Sequence, residues 1–92
     1  MKIVINRCFG GFGISESCAR ALGVDEDFFD EDDLRTNEQF IAMVEEDSDF
    51  ASDDDAELEV VEIPDNATDW ELTEYDGMEE IICVVDGKIH HI

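Results

Sequence analysis

"WELTEYDGMEEIICVVDGKIHHI", residues 70–92, contains two Asp-Gly pairs, each flanked by residues that favour β-strands. Asp-Gly between two such runs is a strong hairpin signal, because both turn positions take positive φ. The pattern predicts strands at 70–75, 79–85 and 88–92, joined as an antiparallel meander. The run "IICVV", residues 81–85, is apolar on both faces and therefore predicts the central strand.

Two further strands are predicted upstream. "KIVIN", residues 2–6, is rich in β-branched residues and shows no alternation, which is typical of a strand buried on both faces. "LEVVEI", residues 58–63, has the same composition and is followed by Pro64, which ends a strand because it lacks a backbone N–H.

Two helices are predicted between these strands. "ESCARAL", residues 16–22, lies between Ser15, a good N-cap, and Gly23, a good C-terminal stop. A second helix is predicted at 37–46, because residues 36–39 have capping-box spacing and apolar side chains recur on one face of the following turns.

Together these elements predict an α+β fold for a single domain spanning 1–92: one sheet of four to five mostly antiparallel strands, with two helices packed on it. The acidic segments 25–34 and 45–57 are predicted to lie outside the regular elements, on the surface. The predicted core positions are Val4, Leu22, Phe40, Val44, Val60, Leu72 and Ile82.

The charge of the chain is unusual. Five basic residues stand against 27 acidic ones, so the net charge is −22, while the apolar fraction of 43% is ordinary for a folded domain. The electrostatic field of such a negative charge repels nucleic acid and anionic membranes, which argues against direct binding to either. It favours a basic protein as partner, with weak, non-selective cation binding besides.

The compartment is predicted from the cysteines and from the apolar runs. Cys8, Cys18 and Cys83 are an odd number and form no CxxC pair, which is typical of reduced thiols in a cytosol-like compartment. The N-terminal residues are too polar for a secretory leader, and no apolar run approaches the length of a membrane span. We therefore expect a cytoplasmic protein.

"DEDFFDEDDL", residues 25–34, places seven carboxylates around Phe28 and Phe29. A purely solvated loop would not require two large rings. One interpretation is that one ring anchors the loop while the other is partly covered. The sharper hypothesis has one ring pinned inward and the other exposed at the centre of an acidic face, as in an interface hot spot. The candidate partner-binding residues are Asp25, Glu26, Asp27, Phe28, Phe29, Asp30, Glu31, Asp32, Asp33, Asp47, Asp49, Asp53, Asp54 and Asp55.

Other motifs point less clearly to a site. "GGFG", residues 10–13, lies between a strand and a helix, where glycine-rich loops can hold phosphates, but it lacks GxxxxGK[ST] and GxGxxG and also fits a tight turn. The loops starting at Asp25 and Asp47 fail the EF-hand pattern, because phenylalanine and alanine occupy ligand positions. The adjacent His90 and His91 are a poor zinc set.

The glycine-rich loop, the acidic loops and the histidine pair therefore predict no metal site and no cofactor. No Ser/His/Asp or Cys/His arrangement is present, and the carboxylates are too numerous for one catalytic pair to stand out. The expectation is that the protein is not an enzyme.

Four blocks of the sequence resemble a family of small uncharacterised phage and prophage proteins. They are "KIVINRCFGGFGIS" (2–15), "RTN" (35–37), "VVEIPD" (60–65) and "WELTEYDGMEEI" (70–81). Members of that family show a "CYGGFGLS"-like segment after the first strand and an "EIPD…WEIEEYDG"-like block near the end. The resemblance covers about half the chain. It implies an α+β fold and a viral or prophage setting, and it brings no catalytic residues. The final "VVDGKIHHI" departs from the basic, Trp-containing end of those relatives.

Three functions are compatible with the sequence. The first is a phage-encoded acidic inhibitor that imitates the DNA phosphate backbone and occupies the basic groove of a host nuclease, restriction or CRISPR effector, or repair factor. The second is a domain whose acidity adapts it to a halophilic, high-salt host. The third is a small-ligand or nucleotide binder that uses the GGFG loop with Arg35, Thr36 and Asn37, and it requires a cleft joining those segments.

Overall fold

A computed structural model, which describes residues 1–92, contains five strands and four helices, and so confirms the predicted α+β class. In chain order the elements are β1 (Lys2–Asn6), α1 (Glu16–Leu22), α2 (Glu31–Arg35), α3 (Glu38–Glu46), α4 (Ser48–Ala51), β2 (Leu58–Glu62), β3 (Asp69–Tyr75), β4 (Met78–Val85) and β5 (Lys88–His91).

The two Asp-Gly turns form the predicted hairpins. Asp76 and Gly77 have φ values of 49° and 90°, and Asp86 and Gly87 have values of 52° and 75°. These positive angles are those of the two-residue turns that match the twist of antiparallel strands. The strand order is β3-β4-β5, so the predicted meander and its central strand are confirmed.

The prediction of one continuous sheet is wrong. β1 and β2 form a separate antiparallel pair, with Val4 opposite Val60. This pair packs face to face on the meander, where Ile3 and Ile5 of β1 share a core with Ile81 of β4. Strands that are apolar on both faces can bury them by stacking as well as by edge pairing, so the same sequence pattern fits both arrangements.

The result is three layers, with the β1-β2 pair between the helices and the meander. The helix-side core comprises Val4, Ile14, Cys18, Ala19, Leu34, Phe40, Ile41, Val44, Ala51 and Leu58. The meander-side core comprises Ile3, Ile5, Val61, Ile63, Ile81 and Cys83. Among the predicted core positions, three are buried: Val4, Phe40 and Val44. Four are only partly buried: Leu22, Val60, Leu72 and Ile82. Ile82 is on the opposite face of β4 from Ile81, and no further element packs there.

The acidic segments are more regular than predicted, and four helices form where two were expected. Asp30 caps α2 by accepting a hydrogen bond from the Asp33 amide at 3.1 Å, and Asp47 caps α4 in the same way from the Phe50 amide at 3.1 Å. Carboxylates at a helix N-terminus are favoured by both the free amides and the helix dipole. The aspartates therefore start short helices inside segments that were expected to be loops.

The start of α3 also differs by one residue from the predicted capping box. The N-cap is Asn37, whose side-chain oxygen accepts a hydrogen bond from the Phe40 amide at 3.0 Å. Thr36 instead ends α2. The unpredicted helix α2 occupies the residues just before Thr36, which moves the cap of the next helix to Asn37.

Candidate binding surface and adjacent cleft

Both acidic segments contact the glycine-rich loop. We call residues 25–33 and 47–55 together the acidic surface. The Phe29 ring centroid is 6.2 Å from that of Phe12, and the Asp53 amide donates to the carbonyl of Gly13 at 3.3 Å. Because Phe12 and Gly13 are consecutive, the two predicted segments contact neighbouring positions of one loop, while α2 and α4 do not contact each other.

The two phenylalanines divide as the sharper hypothesis predicts. Phe29 packs against the helix-side core, whereas Phe28 is 84% exposed. The geometry of one inward and one outward ring is therefore confirmed, and the outward ring is not partly covered. An exposed ring among carboxylates is the arrangement expected of an aromatic anchor with a polar rim.

The acidic surface has little basic compensation. Among its carboxylates only Glu31 lies within ion-pair distance of a base, at 3.3 Å from Arg35. Lys88 is in no ion pair, and the three other bases bind acids elsewhere, as with Arg7 and Glu59 at 2.6 Å. Lys2 pairs with Glu45, and Arg20 pairs with Glu16. A basic partner would therefore meet carboxylates that are free to pair.

Apart from Glu31, which pairs with Arg35, the acidic side chains of this surface fall into two groups. Four accept backbone hydrogen bonds within their own segments and so shape the surface: Asp25, Asp30, Asp47 and Asp53. Seven make no hydrogen bond or ion pair: Glu26, Asp27, Asp32, Asp33, Asp49, Asp54 and Asp55. Local desolvation raises the pKa of Glu26, and the neighbouring carboxylates of Glu16, Asp27 and Asp25 raise that pKa further. A cation placed there would relieve this repulsion.

A cleft of about 740 Å³ opens beside the acidic surface. One wall is the inner face of β3, with Trp70, Leu72 and Glu74. This face is only partly covered, because β1 packs on β4 and β3 contacts no element other than β4, although Leu72 reaches the meander-side core. The opposite wall is built by the GGFG loop and α2. The residues of that wall are Gly11, Phe12, Glu31, Asp32, Arg35 and Thr36.

The cleft thus joins the GGFG loop to Arg35 and Thr36, as the small-ligand hypothesis requires. Asn37, the third residue named in that hypothesis, does not line it and serves instead as the cap of α3. The walls combine apolar side chains with several carboxylates and one base. The charge of the cleft therefore depends on what Arg35 is already bound to.

Arg35 is committed to a buried ion pair. Its two terminal nitrogens donate to the two carboxylate oxygens of Glu79 at 2.8 and 2.6 Å, and one of them also donates to the Val4 carbonyl at 3.0 Å. The guanidinium lies 4.2 Å from the centroid of the Phe12 ring. Since its charge is neutralised by Glu79 and it is buried, Arg35 offers no free cation to a phosphate in the cleft.

The glycine-rich loop is explained by close backbone packing. A Cβ on Gly10 would stand 2.2 Å from the Asp55 carbonyl oxygen, and a Cβ on Gly77 would stand 2.2 Å from the Gly11 amide. Glycine is therefore needed for the loop to pack on the Asp76-Gly77 turn and on the acidic surface. Ser15 already accepts a hydrogen bond from the Cys18 amide at the start of α1. These contacts favour the tight-turn interpretation of "GGFG".

The three cysteines are free, with Cys18 and Cys83 buried and Cys8 half-buried. Burial raises the pKa of the Cys18 thiol, which keeps it protonated. No cluster of three or more His, Cys, Asp or Glu side chains has the geometry of a metal site. None of the four helices has the length and apolarity needed to span a membrane.

Sequence reasoning did not identify Trp70 or Glu79 as site residues. A signal for Glu79 was present: it alternates with Ile81 and Cys83 along β4, which places its carboxylate on the buried face. A second missed feature is the pair of exposed rings of Phe9 and Tyr75, 63% and 74% exposed, which meet edge to face at 6.5 Å.

Comparisons with known proteins identify no relative. No family model, curated protein or solved structure matches the chain. The resemblance to phage and prophage proteins therefore stays a prediction, and function has to be inferred from the acidic surface and the cleft themselves.

Proposed function

We propose that the chain is an acidic interaction protein that binds the basic groove of a nucleic-acid-binding protein, in the manner of a DNA mimic. The observation that carries this proposal is Phe28, 84% exposed within an acidic surface whose carboxylates, apart from Glu31, have no basic partner. Both features are costly for an isolated domain, because like charges repel and the ring remains in water.

The charge of the acidic surface would speed association with a basic partner, and its exposed ring and fixed shape would stabilise the complex. A net charge of −22 would steer the chain toward a positive groove and accelerate the encounter, most strongly at low ionic strength. Phe28 would contribute binding energy that salt does not screen, since burial of an aromatic ring is driven by release of water. The inward packing of Phe29 and the capped helices α2 and α4 hold the surface in shape before binding, which lowers the entropic cost of association.

The proposed setting follows the resemblance to phage and prophage proteins. The chain would be phage-encoded and act in the host cytoplasm. It would inhibit a nuclease, a restriction or CRISPR effector, or a repair factor by blocking the nucleic-acid groove. It would catalyse no reaction and would bind neither nucleic acid nor membrane directly.

The test compares two double charge reversals with the same net charge. Asp27→Lys with Asp54→Lys alters the acidic surface at side chains that make no hydrogen bond or ion pair. Glu38→Lys with Glu71→Lys alters exposed acids elsewhere. Asp30 and Asp47 are left intact because they cap helices. Affinity for the basic protein captured from a host extract is measured by calorimetry, and unchanged circular dichroism spectra confirm that each variant folds.

We expect the first pair to weaken binding by more than about tenfold and the second by much less, and Phe28→Ala to weaken it by about 30-fold. Duplex DNA should compete with the chain, and affinity should fall steeply between 50 and roughly 200 mM salt. Equal losses from the two pairs would indicate a diffuse charge effect without a docking surface. A complex that ignores DNA competition would exclude mimicry.

A further inference from the structure

The cleft between β3 and α2 is an open, half-apolar site with an acidic rim. Its wall on β3 presents Trp70, 41% exposed, and Leu72, and its rim carries the carboxylates of Asp32 and Glu74. We propose that this cleft receives an arginine side chain from a basic protein partner. This occupant rests on the function proposed above, because the partner favoured by the acidic surface is rich in exposed arginine.

Charge complementarity selects the occupant. The ionisable residues that line the cleft are Glu31, Asp32, Arg35, Glu74 and Glu79. Arg35 and Glu79 neutralise each other as a buried pair, and Glu31 lies at 3.3 Å from the same guanidinium. Asp32 therefore has no basic partner. Glu74 accepts one hydrogen bond, from the Gly77 amide at 2.7 Å, and keeps its second oxygen free. The rim thus offers negative charge to a cation and none of the free positive charge that a phosphate requires.

The residues that line the cleft favour a guanidinium over a compact ammonium. A guanidinium is planar, can stack on an aromatic ring and can bind carboxylates through paired N–H groups. The indole of Trp70 supplies the ring, and the carboxylates of Asp32 and Glu74 supply the acceptors. A volume of about 740 Å³ falls in the range of small-ligand sites and leaves room for the adjoining backbone of the partner.

The chain already binds one guanidinium in this way. Arg35 lies 4.2 Å from the centre of the Phe12 ring and forms a bidentate ion pair with Glu79. The partner's arginine would make the same two kinds of contact in the cleft. Its guanidinium would stack on Trp70, as Arg35 does on Phe12, and it would pair with the carboxylates of Asp32 and Glu74, as Arg35 does with Glu79. Asp32 belongs to both the cleft and the acidic surface, so one partner can contact the two without a gap.

The test uses Trp70, the single tryptophan of the chain, as a fluorescent reporter. The probe is the blocked peptide acetyl-Gly-Arg-Gly-amide, titrated while indole emission is excited selectively. We expect saturable quenching or a spectral shift with this peptide. The same peptide with citrulline, which keeps the shape without the charge, should give no saturable change. Adenosine monophosphate should also give none.

Matched double variants separate the cleft from general charge. Asp32→Asn with Glu74→Gln should weaken the arginine peptide by about tenfold or more, since each removes a charge-assisted contact. Glutamine at position 74 retains the acceptor for the Gly77 amide, so the turn should survive. Glu38→Gln with Glu71→Gln makes the same change in net charge outside both the cleft and the acidic surface, and it should leave affinity within about twofold.

Equal weakening in both variants, or binding of the citrulline peptide, would overturn the arginine site. Saturable binding of adenosine monophosphate would assign the cleft to phosphates instead. The two proposals fail separately. If the peptide binds but the acidic surface has no protein partner, the cleft stands and the mimicry fails. If the protein complex forms and its affinity is unchanged by substitutions at Asp32 and Glu74, the arginine site fails and the proposed mimicry stands.

Discussion

Glu79 shows how the fold accommodates a carboxylate in an apolar layer. It lies on the face of β4 that also carries Ile81, and it is 5% exposed. Its charge is compensated by Arg35, and the Asn6 amide donates to one of its oxygens at 2.8 Å. No buried side-chain nitrogen or oxygen in the chain lacks a hydrogen-bond partner. Such a complete network fixes how α2, β1 and β4 fit together, and an incomplete one would be strongly destabilising.

We therefore predict that Glu79→Gln lowers the free energy of unfolding by about 3–5 kcal/mol, because it leaves the buried charge of Arg35 without its counter-ion. Urea denaturation measures the change. Glu71→Gln, at an exposed position on β3, removes the same charge and should alter stability by less than about 0.5 kcal/mol. The double variant Arg35→Leu with Glu79→Leu should recover part of the loss. A Glu79→Gln protein as stable as the Glu71→Gln control would show that the pair contributes nothing to the fold.

The sequence offered the observed Phe28/Phe29 geometry as one of two interpretations, and it did not predict the ion pair. Two adjacent rings in an acidic run carry their own local signal, since both cannot be solvated at low cost. Arg35 and Glu79 are 44 residues apart, and their contact depends on how α2 and β4 pack on β1. A pairing of this kind follows from the packing of layers, which no local pattern of residues contains.

Single elements were predicted more accurately than their arrangement. α1 begins after Ser15 and ends at Gly23 as expected, and both Asp-Gly turns form. These features are determined by the residues within them. The stacking of β1 on β4 was not predicted, because "KIVIN" and "IICVV" would be equally buried in one sheet or in two packed sheets. The cleft was not predicted either, since it exists only because the β1-β2 pair covers β4 and leaves β3 largely uncovered.

The start of α3 gives a test for one element. Asn37→Ala should lower the free energy of unfolding by about 1 kcal/mol, because it removes the acceptor for the Phe40 amide. Thr36→Ala should cost much less, since the Thr36 side chain caps no helix N-terminus. Both variants are compared by the midpoint of urea denaturation. A larger loss at Thr36 than at Asn37 would restore the capping box that the sequence suggested.

Mimicry and adaptation to salt assign different roles to the charge of the molecule. Four of the five lysines and arginines are held in ion pairs, and only Lys88 is in none. The excess of acid therefore acts as a largely uncompensated field on the folded state. In a salt-adapted protein the folded state would depend on abundant cations, whereas in a mimic the field would be compensated by the partner.

We predict that the melting temperature of the isolated chain rises between 0.01 and 0.15 M NaCl and is nearly constant above about 0.5 M. The Debye length is about 30 Å at 0.01 M, comparable with the 41 Å length of the molecule, so nearly all carboxylates repel one another. At 0.15 M it is about 8 Å and only neighbours interact. Differential scanning calorimetry over this range, with NaCl and KCl in parallel, measures the effect. A melting temperature that keeps climbing to molar KCl would favour the halophilic alternative. One that is flat or falls below 0.15 M would mean that bound cations already neutralise the acidic surface, and would remove the reason for a basic partner.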